Sequence, residues 1–489
     1  MDTKFIFTFI LLMLFGNIHS QKKLSLAETI KLARMQSVDA AVSLNELKTA
    51  YWTYRTYRAD LLPAVSFSGT LPSYKKNYSS YQSDDGSYTF VPNNYLGLSG
   101  QMSVEQTIWQ TGGKLSLTSS LDYYKQLGTS KSEQFMSVPV GLTLSQPIFN
   151  VNKTKWQRKI EPVRYAEAKA SFIASTEKVT MKAITYYFDL LLAKENLNIA
   201  RQNLSNADHL YEVAVAKRQM GQISENEVLQ LKLAALKAKG SVTEMQSNLN
   251  AKMFQLSSFL GLSEQEQIDP EIPESVSGIQ IDYQTVLRKA QENNSFAQNI
   301  RRRQLEADYE VASAKGSLRN INFYASVGYT GLANEINPAY NNLMGNKIVE
   351  VGVKLPILDW GKGRGNVKVA ESNSKVVALK IEQERMTFNQ DIFLLVEQFN
   401  NQAMQLNIAK EADDIAQKRY QTSIETFLIG KINTLDLNDA QVNKDEAKQK
   451  HITELYKYWY YYYQIRSLTL YDFQNDTNLS TDFESIINN

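Results

Sequence analysis

Two hydrophobic periods alternate along the chain. From Leu24 to about Leu62 apolar positions recur at helical spacing. Pro63 ends that run, because proline lacks the amide and clashes with the preceding turn. The period then drops to two. Val65, Phe67, Gly69 and Leu71 alternate with Ser66, Ser68 and Thr70, and Leu96, Leu98, Met102 and Val104 alternate with Gly97, Ser99, Gln101 and Ser103. Beyond Thr111-Gly-Gly113, Leu115, Leu117 and Leu121 continue the habit, and Val138, Val140, Leu142 and Leu144 complete it. The stretch Tyr74 to Asn94, rich in Ser, Tyr, Asn and Asp, predicts a long external loop. One apolar face and one small or polar face suit a barrel wall between lipid and lumen, and also the strands of a soluble sandwich.

From Pro147 onward the pattern is helical again. Leu197, Ala200, Leu204, Ala207, Tyr211 and Ala214 step by three and four, and past Gly221 so do Val228, Leu231, Ala235, Ala238, Val242, Met245 and Leu249. That seven-residue repeat marks a coiled coil, and its many alanines allow close helix approach. The pattern stops at Phe259-Leu-Gly261, and Asp269-Pro-Glu-Ile-Pro273 predicts a linker.

The second half repeats the plan. A helix is expected from about Tyr283 to Leu318, opening with Ile281 to Ala290, a loose copy of Leu24 to Ala33. Strands follow through Phe323, Ala325, Val327 and Tyr329, and through Val349, Val351, Val353 and Leu355, joined by a loop at Asn337-Pro338. A long helix carries Phe388, Ile392, Leu395, Phe399, Leu406 and Ala409, with Gln402 and Asp413 interrupting its stripe. It turns near Gly430 and returns to Tyr471. Pro147 to Gly221 and Pro356 to Gly430 both span 74 residues, so the halves read as a structural duplication. Each arm, if mostly helical, is about 110 Å long at 1.5 Å per residue. Ala33 to Pro147 is 114 residues and Ala290 to Pro356 is 66, and the 48 extra residues roughly cover the added hairpin around Gly112-Gly113.

Composition narrows the classes. The 489 residues carry 53 basic and 51 acidic side chains, which argues against nucleic-acid binding. There is no cysteine, so disulfide scaffolds, thiolate metal sites and cysteine-linked lipids are excluded. Lys4, the apolar run Phe5 to Phe15 and small Ser20 predict an export signal over residues 1–20, cleaved before Gln21. That run of eleven is too short to span a bilayer, and no later segment approaches about 18 continuous apolar residues. An exported chain without such a helix can span a membrane only as a closed barrel.

Candidate chemistry concentrates at the two hairpin turns. Gly430-Lys431-Ile432-Asn433 matches Gly221-Gln222-Ile223-Ser224. Asp436 then falls where Glu227 falls, and Asp439 lies three residues on, placing both aspartates on one helix face. Acids there also suit the positive end of a helix dipole. No catalytic constellation is visible, and His209 and His451 stand on helices without ligand spacing. Gly361-Lys-Gly-Arg-Gly365 lacks the Gly-Lys-Ser/Thr ending of a phosphate loop and reads as a turn. Tyr456 to Tyr463 fits an aromatic girdle or tightly packed helical structure.

In its order of elements the chain resembles the TolC-type outer-membrane efflux proteins (outer membrane factors). The resemblance rests on the duplicated helix–strand–strand–hairpin plan and on Pro147-Ile-Phe-Asn and Pro356-Ile-Leu-Asp-Trp-Gly at the strand-to-helix junctions. The Gly-x-Ile tips and the closing run Tyr458 to Tyr471 complete it. It implies an α+β membrane protein: a homotrimer whose outer-membrane β-barrel, four strands per chain and twelve in all, continues into a periplasmic α-helical coiled-coil barrel. The first repeat would occupy residues 21–270, the second 271–473, with a tail over 474–489. The resemblance implies no enzyme activity and no cofactor. Tips 221–224 and 430–433 would contact a periplasmic adaptor, which links the duct to an inner-membrane pump of RND or ABC type. Asp436 and Asp439, with Glu227 at the corresponding place, would ring the constricted periplasmic mouth. Ile432 departs from the family, some members of which carry an arginine there that helps hold the closed state. The extra hairpin is a second departure: it would give six strands per chain if it joined the wall, an even number per half allows four or six, and four are favoured, with the hairpin outside. The rival reading is a coiled-coil structural or adhesive surface protein.

Overall fold

The computed structural model describes residues 22–127, 132–263, 267–274, 280–354 and 357–488. The expected export signal, Leu355 and the junction proline Pro356 lie outside them. In the first half, strand β1 (Lys22–Leu24) precedes helices α1 (Leu26–Gln36) and α2 (Val38–Ala59). Four strands follow: β2 (Ala64–Gln82), β3 (Tyr88–Ile108), β4 (Gly113–Gln126) and β5 (Glu133–Pro147). Helices α3 (Lys153–Gln219) and α4 (Glu225–Leu260) form the first hairpin. The second half runs β6 (Ile268–Pro270), α5 (Tyr283–Asn293), α6 (Ser295–Gly316), β7 (Asn320–Ala333), α7 (Ile336–Asn341) and β8 (Leu343–Lys354). Its hairpin is α8 (Lys362–Leu428) and α9 (Thr434–Thr469). Strands β9 (Tyr471–Asp472) and β10 (Thr477–Asn478) and helix α10 (Phe483–Asn488) close the chain.

The duplication extends to helix length. The four paired helices have 11, 22, 67 and 36 residues in both halves. The expected single helices over 24–62 and 283–318 are each broken, and at matching places. Ser37 and Asn294 both adopt extended backbone, and their amides close the preceding turn on Ala33 and Ala290. Ser and Asn favour such boundaries because their side chains compete for backbone groups. Ser25 opens α1 with a reciprocal capping box to Glu28, and Asp282 caps α5. The expected linker at 269–273 is partly ordered, since Ile268–Pro270 pairs in parallel with Lys22–Leu24.

Strands β2, β3, β4, β5, β7 and β8 form one antiparallel sheet in that order. This corrects the expectation of four strands: the hairpin around Gly112-Gly113 is inside the sheet, between β2 and β5. Alternation reports which face a residue takes, not which strand it pairs with. The expected loop Tyr74 to Asn94 is also mostly strand, with Tyr74 opposite Leu96 and Gln82 opposite Tyr88 around a turn at Gly86. Tyr74, Tyr78, Tyr81, Tyr88, Thr89 and Phe90 are good strand formers once a neighbour supplies the ladder. The loop expected at Asn337-Pro338 holds the short helix α7.

Two compact units divide the chain. One comprises residues 1–48, 168–297 and 385–489; the other comprises 49–167 and 298–384. The first holds the main core, including Ile184, Tyr187, Leu191, Val286, Ile392, Phe399, Tyr458, Tyr462 and Ile465. The tyrosine-rich run Tyr456 to Tyr463 thus packs inside a helical core. Tyr187 is fully buried; its hydroxyl donates to the Glu271 carbonyl and lies 3.1 Å from the Leu24 carbonyl, which pins β1 and the chain after β6 to α3. Arg34 and Arg466 both pair with buried Glu177, at 2.7 and 3.3 Å. The second unit contains the sheet, and ion pairs such as Arg302–Glu167 (2.6 Å) and Arg164–Glu306 (2.7 Å) join α6 to α3.

Candidate functional site: the hairpin ends

Both long helices end in the same way. Gln222 donates its amide to the Lys217 carbonyl and Gly221 to Arg218, each at 2.9 Å. Lys431 donates to Thr426 (3.1 Å) and Gly430 to Phe427 (2.9 Å). This crossed pair of bonds satisfies the last carbonyls and needs a left-handed residue. Gly221 and Gly430 supply it, with φ of 72° and 79°. A side chain at either glycine would meet open space, so backbone strain alone restricts the position.

The short helices start differently. Ser224 and Glu227 form a full capping box: the Ser224 amide donates to Glu227 Oε2 at 2.8 Å, and the Glu227 amide donates to Ser224 Oγ at 3.3 Å. Those bonds, the backbone one first, hold the Glu227 carboxyl below its usual range. In the second hairpin Asn433 Oδ1 accepts from the Asp436 amide at 2.9 Å. The Asp436 side chain is exposed, while Asp439 accepts from Arg419 of α8 at 2.6 Å. Among the described residues, no hydrogen bond or ion pair joins Glu227 to either aspartate.

Gly221, Gln222, Ser224, Gly430, Lys431 and Asn433 are exposed, and Ile223 and Ile432 are half-buried. Ile432 packs with Phe427, Ile424 and Leu210 against buried Tyr420, Leu437 and Ala440. Its apolar side chain thus helps to close its own hairpin. Pro147 ends β5, six residues before α3 begins.

Next to this cluster lies a polar layer that sequence reasoning missed. Asn206 of α3 donates to the Tyr420 hydroxyl at 2.8 Å, and Asn203 donates to Asp445 at 2.7 Å. Buried Lys444 lies 3.0 Å from Asp445 and 4.6 Å above the Tyr420 ring. Burial raises the Tyr420 pKa. Farther along the α8–α9 seam, Asp413 meets His451 at 2.9 Å and Lys448 at 3.5 Å. Gln402 donates to Glu454, which also meets Lys450 and Lys457 at 2.7 and 3.1 Å. Gln402 and Asp413 were legible as breaks in an apolar stripe; their partners, 52 and 38 residues away, were not.

No group of His, Cys, Asp or Glu among the described residues could hold a metal ion. Asp359 receives the amides of Gly361 and Gly363 at 2.9 and 2.8 Å and opens α8, so this glycine-rich stretch is a helix-starting turn. No helix of the described chain is long and apolar enough to cross a membrane.

A duplicated pair of long helical hairpins carried with one six-stranded antiparallel sheet defines the architecture. The family model for outer membrane efflux proteins matches residues 29–262 and 287–469, and the chain belongs to that family. Nodulation protein T of Rhizobium leguminosarum bv. viciae is 21% identical over 376 residues, covering 72% of this chain and 76% of that protein. Among solved structures, the Campylobacter jejuni CmeC outer membrane channel superposes with a TM-score of 0.67 at 16% identity, covering 95% of this chain and 88% of that one. The outer membrane protein VceC of Vibrio cholerae gives 0.62 at 14% identity, covering 91% and 95%.

Proposed function

We propose that three copies of this chain assemble into a passive conduit through the outer membrane and periplasm. A periplasmic adaptor would couple it to an inner-membrane pump of RND or ABC type. The observation that carries this reading is apolar surface that a single chain leaves uncovered. Phe67, Met102, Val349 and Val351 stand more than half exposed on the sheet. On α4, Leu229, Leu233 and Leu236 form an exposed stripe at helical spacing. Lipid suits the first surface and a sister copy the second. The exposed tips at 221–224 and 430–433 are free to meet the adaptor.

Threefold symmetry would place six carboxylates from Asp436 and Asp439 around the periplasmic mouth, where they would attract cations and repel anions. Glu227, occupied in its own cap, would add charge just outside that ring. Purified protein in a planar bilayer should give stepwise conductance that divalent cations block from the periplasmic side. Asp436→Asn with Asp439→Asn should relieve the block. Unchanged block would remove the acidic ring, and absence of any conductance would remove the conduit.

A further inference from the structure

We infer that all six strands of each chain belong to the barrel wall, so that three copies close an eighteen-stranded barrel. The inference rests on the trimeric conduit proposed above and concerns how that conduit meets the membrane.

The register carries it. Val65, Val104, Leu117, Leu142 and Val327 stand opposite one another in a single row across β2, β3, β4, β5 and β7, and the row ends at Lys347 of β8. The next row runs Gln106, Leu115, Leu144, Ala325 and Val349, which brings in β8. The other face is small or polar apart from Ile348. Ser66, Ser103, Thr118, Gly141, Gly328 and Asn346 form one row, and Glu105, Ser116, Thr143, Ser326 and Ile348 form another. Side chains alternate with period two, so β3 and β4 could have taken either phase relative to β5. They take the phase that gathers apolar residues of all six strands on one face, interrupted by Gln106, Ser119 and Lys347. A hairpin outside the wall would be wet on both sides and would gain nothing from that match.

The turn between β3 and β4 is also pinned in place. Asn152 donates to the Trp109 carbonyl at 2.8 Å, Gln146 donates to Thr111 at 3.1 Å, and the Arg158 guanidinium lies 3.6 Å above the Trp109 ring. These contacts tie the turn to the end of β5 and the start of α3, at the helical side of the sheet.

Closure follows from the edges. Among the described residues, the outer sides of β2 and β8 pair with no further strand. In hydrocarbon an open edge leaves backbone groups without partners, so β2 of one copy must pair with β8 of the next. Six strands is an even number, so that pairing is antiparallel. Barrel diameter grows roughly linearly with strand number, so the eighteen-stranded wall is about half as wide again as a twelve-stranded one at equal tilt. Its lumen would be lined by the serine, threonine and glycine rows.

The absence of native cysteine makes the test direct. Single variants Met102→Cys and Leu117→Cys, against Ser103→Cys and Ser116→Cys, sample the two faces of the β3–β4 hairpin. Leu142→Cys and Val327→Cys, against Thr143→Cys and Ser326→Cys, do the same for β5 and β7. Each is exposed to a charged, water-soluble maleimide in intact outer membranes. In both sets the polar-face cysteines should react at least an order of magnitude faster than the apolar-face ones. Equal reaction on both faces of the hairpin, with alternation kept on β5 and β7, would overturn the six-strand wall and leave the conduit standing. Loss of alternation on β5 and β7 as well would overturn the barrel itself.

Discussion

The two helical hairpins agree to the residue in the length of each arm and differ in what they bury. Helix α9 buries Leu437, Ala440, Ile452, Leu455, Tyr458, Tyr462 and Ile465 along its whole course. Helix α4, also 36 residues, buries Ala235 and then only Leu256, Ser257 and Leu260 near its end. Polar contacts cross both hairpins but differ in burial: Gln402–Glu454 and Asp413–His451 are buried or half-buried in the second, whereas Lys252–Asp189 and Arg201–Gln246 in the first are more exposed. Equal backbones therefore serve unequal roles. The second hairpin packs against its own chain, and the short arm of the first offers an apolar flank to something else.

The contrast breaks most easily where the second hairpin buries its bulkiest side chains. Phe399 is fully buried, with its ring 5.4 Å from Tyr458 and 6.2 Å from Tyr462. Phe399→Ala should cost about 3–5 kcal/mol in thermal unfolding of the detergent-solubilised protein. Leu233→Ala on the exposed flank should change the stability of the isolated chain by less than about 0.5 kcal/mol. Equal losses would erase the contrast.

A smaller effect tests the seam. Burial alone would raise the Glu454 pKa, but hydrogen bonds from Gln402, Lys450 and Lys457 outweigh it and bring it to about 2, from an ordinary 4.5. A lowered carboxyl pKa stabilises the fold fully above the unfolded value, and that stability is lost as pH falls through the folded one. Stability should therefore decline between about pH 4.5 and 2, by roughly 3 kcal/mol from this group. Glu454→Gln should flatten that part of the acid limb. An unaltered limb would show that the seam does not bear the charge.

The smallest effect lies near the tips, where Arg419 and Asp439 are both more than half exposed. Arg419→Ala should cost less than about 1 kcal/mol, and salt should shrink even that. A larger loss would mean that the pair is shielded by neighbours that one chain does not supply.

Much of this was legible in the sequence, for local reasons. Gly221 and Gly430 mark the hairpin turns because left-handed backbone excludes most residues. The stripe from Leu197 to Ala214 sits on the buried or half-buried face because helical period fixes direction. What was hidden is non-local. Period two told the face of Leu117 but not its neighbours, Val104 and Leu142. The Ser224-x-x-Glu227 spacing was open to a capping reading, and that is the role the carboxylate performs in the chain. Leu229, Leu233 and Leu236 lie beside the predicted seam of α4, and only their exposure separates them from it.

That exposed flank is where the proposed trimer stands or falls. The decisive measurement is the mass of the complex extracted from outer membranes in mild detergent, for the natural chain and for Leu233→Asp with Leu236→Asp. Three copies are expected for the natural chain, and release of single chains for the variant. A natural chain that emerges as a stable single copy would contradict the conduit.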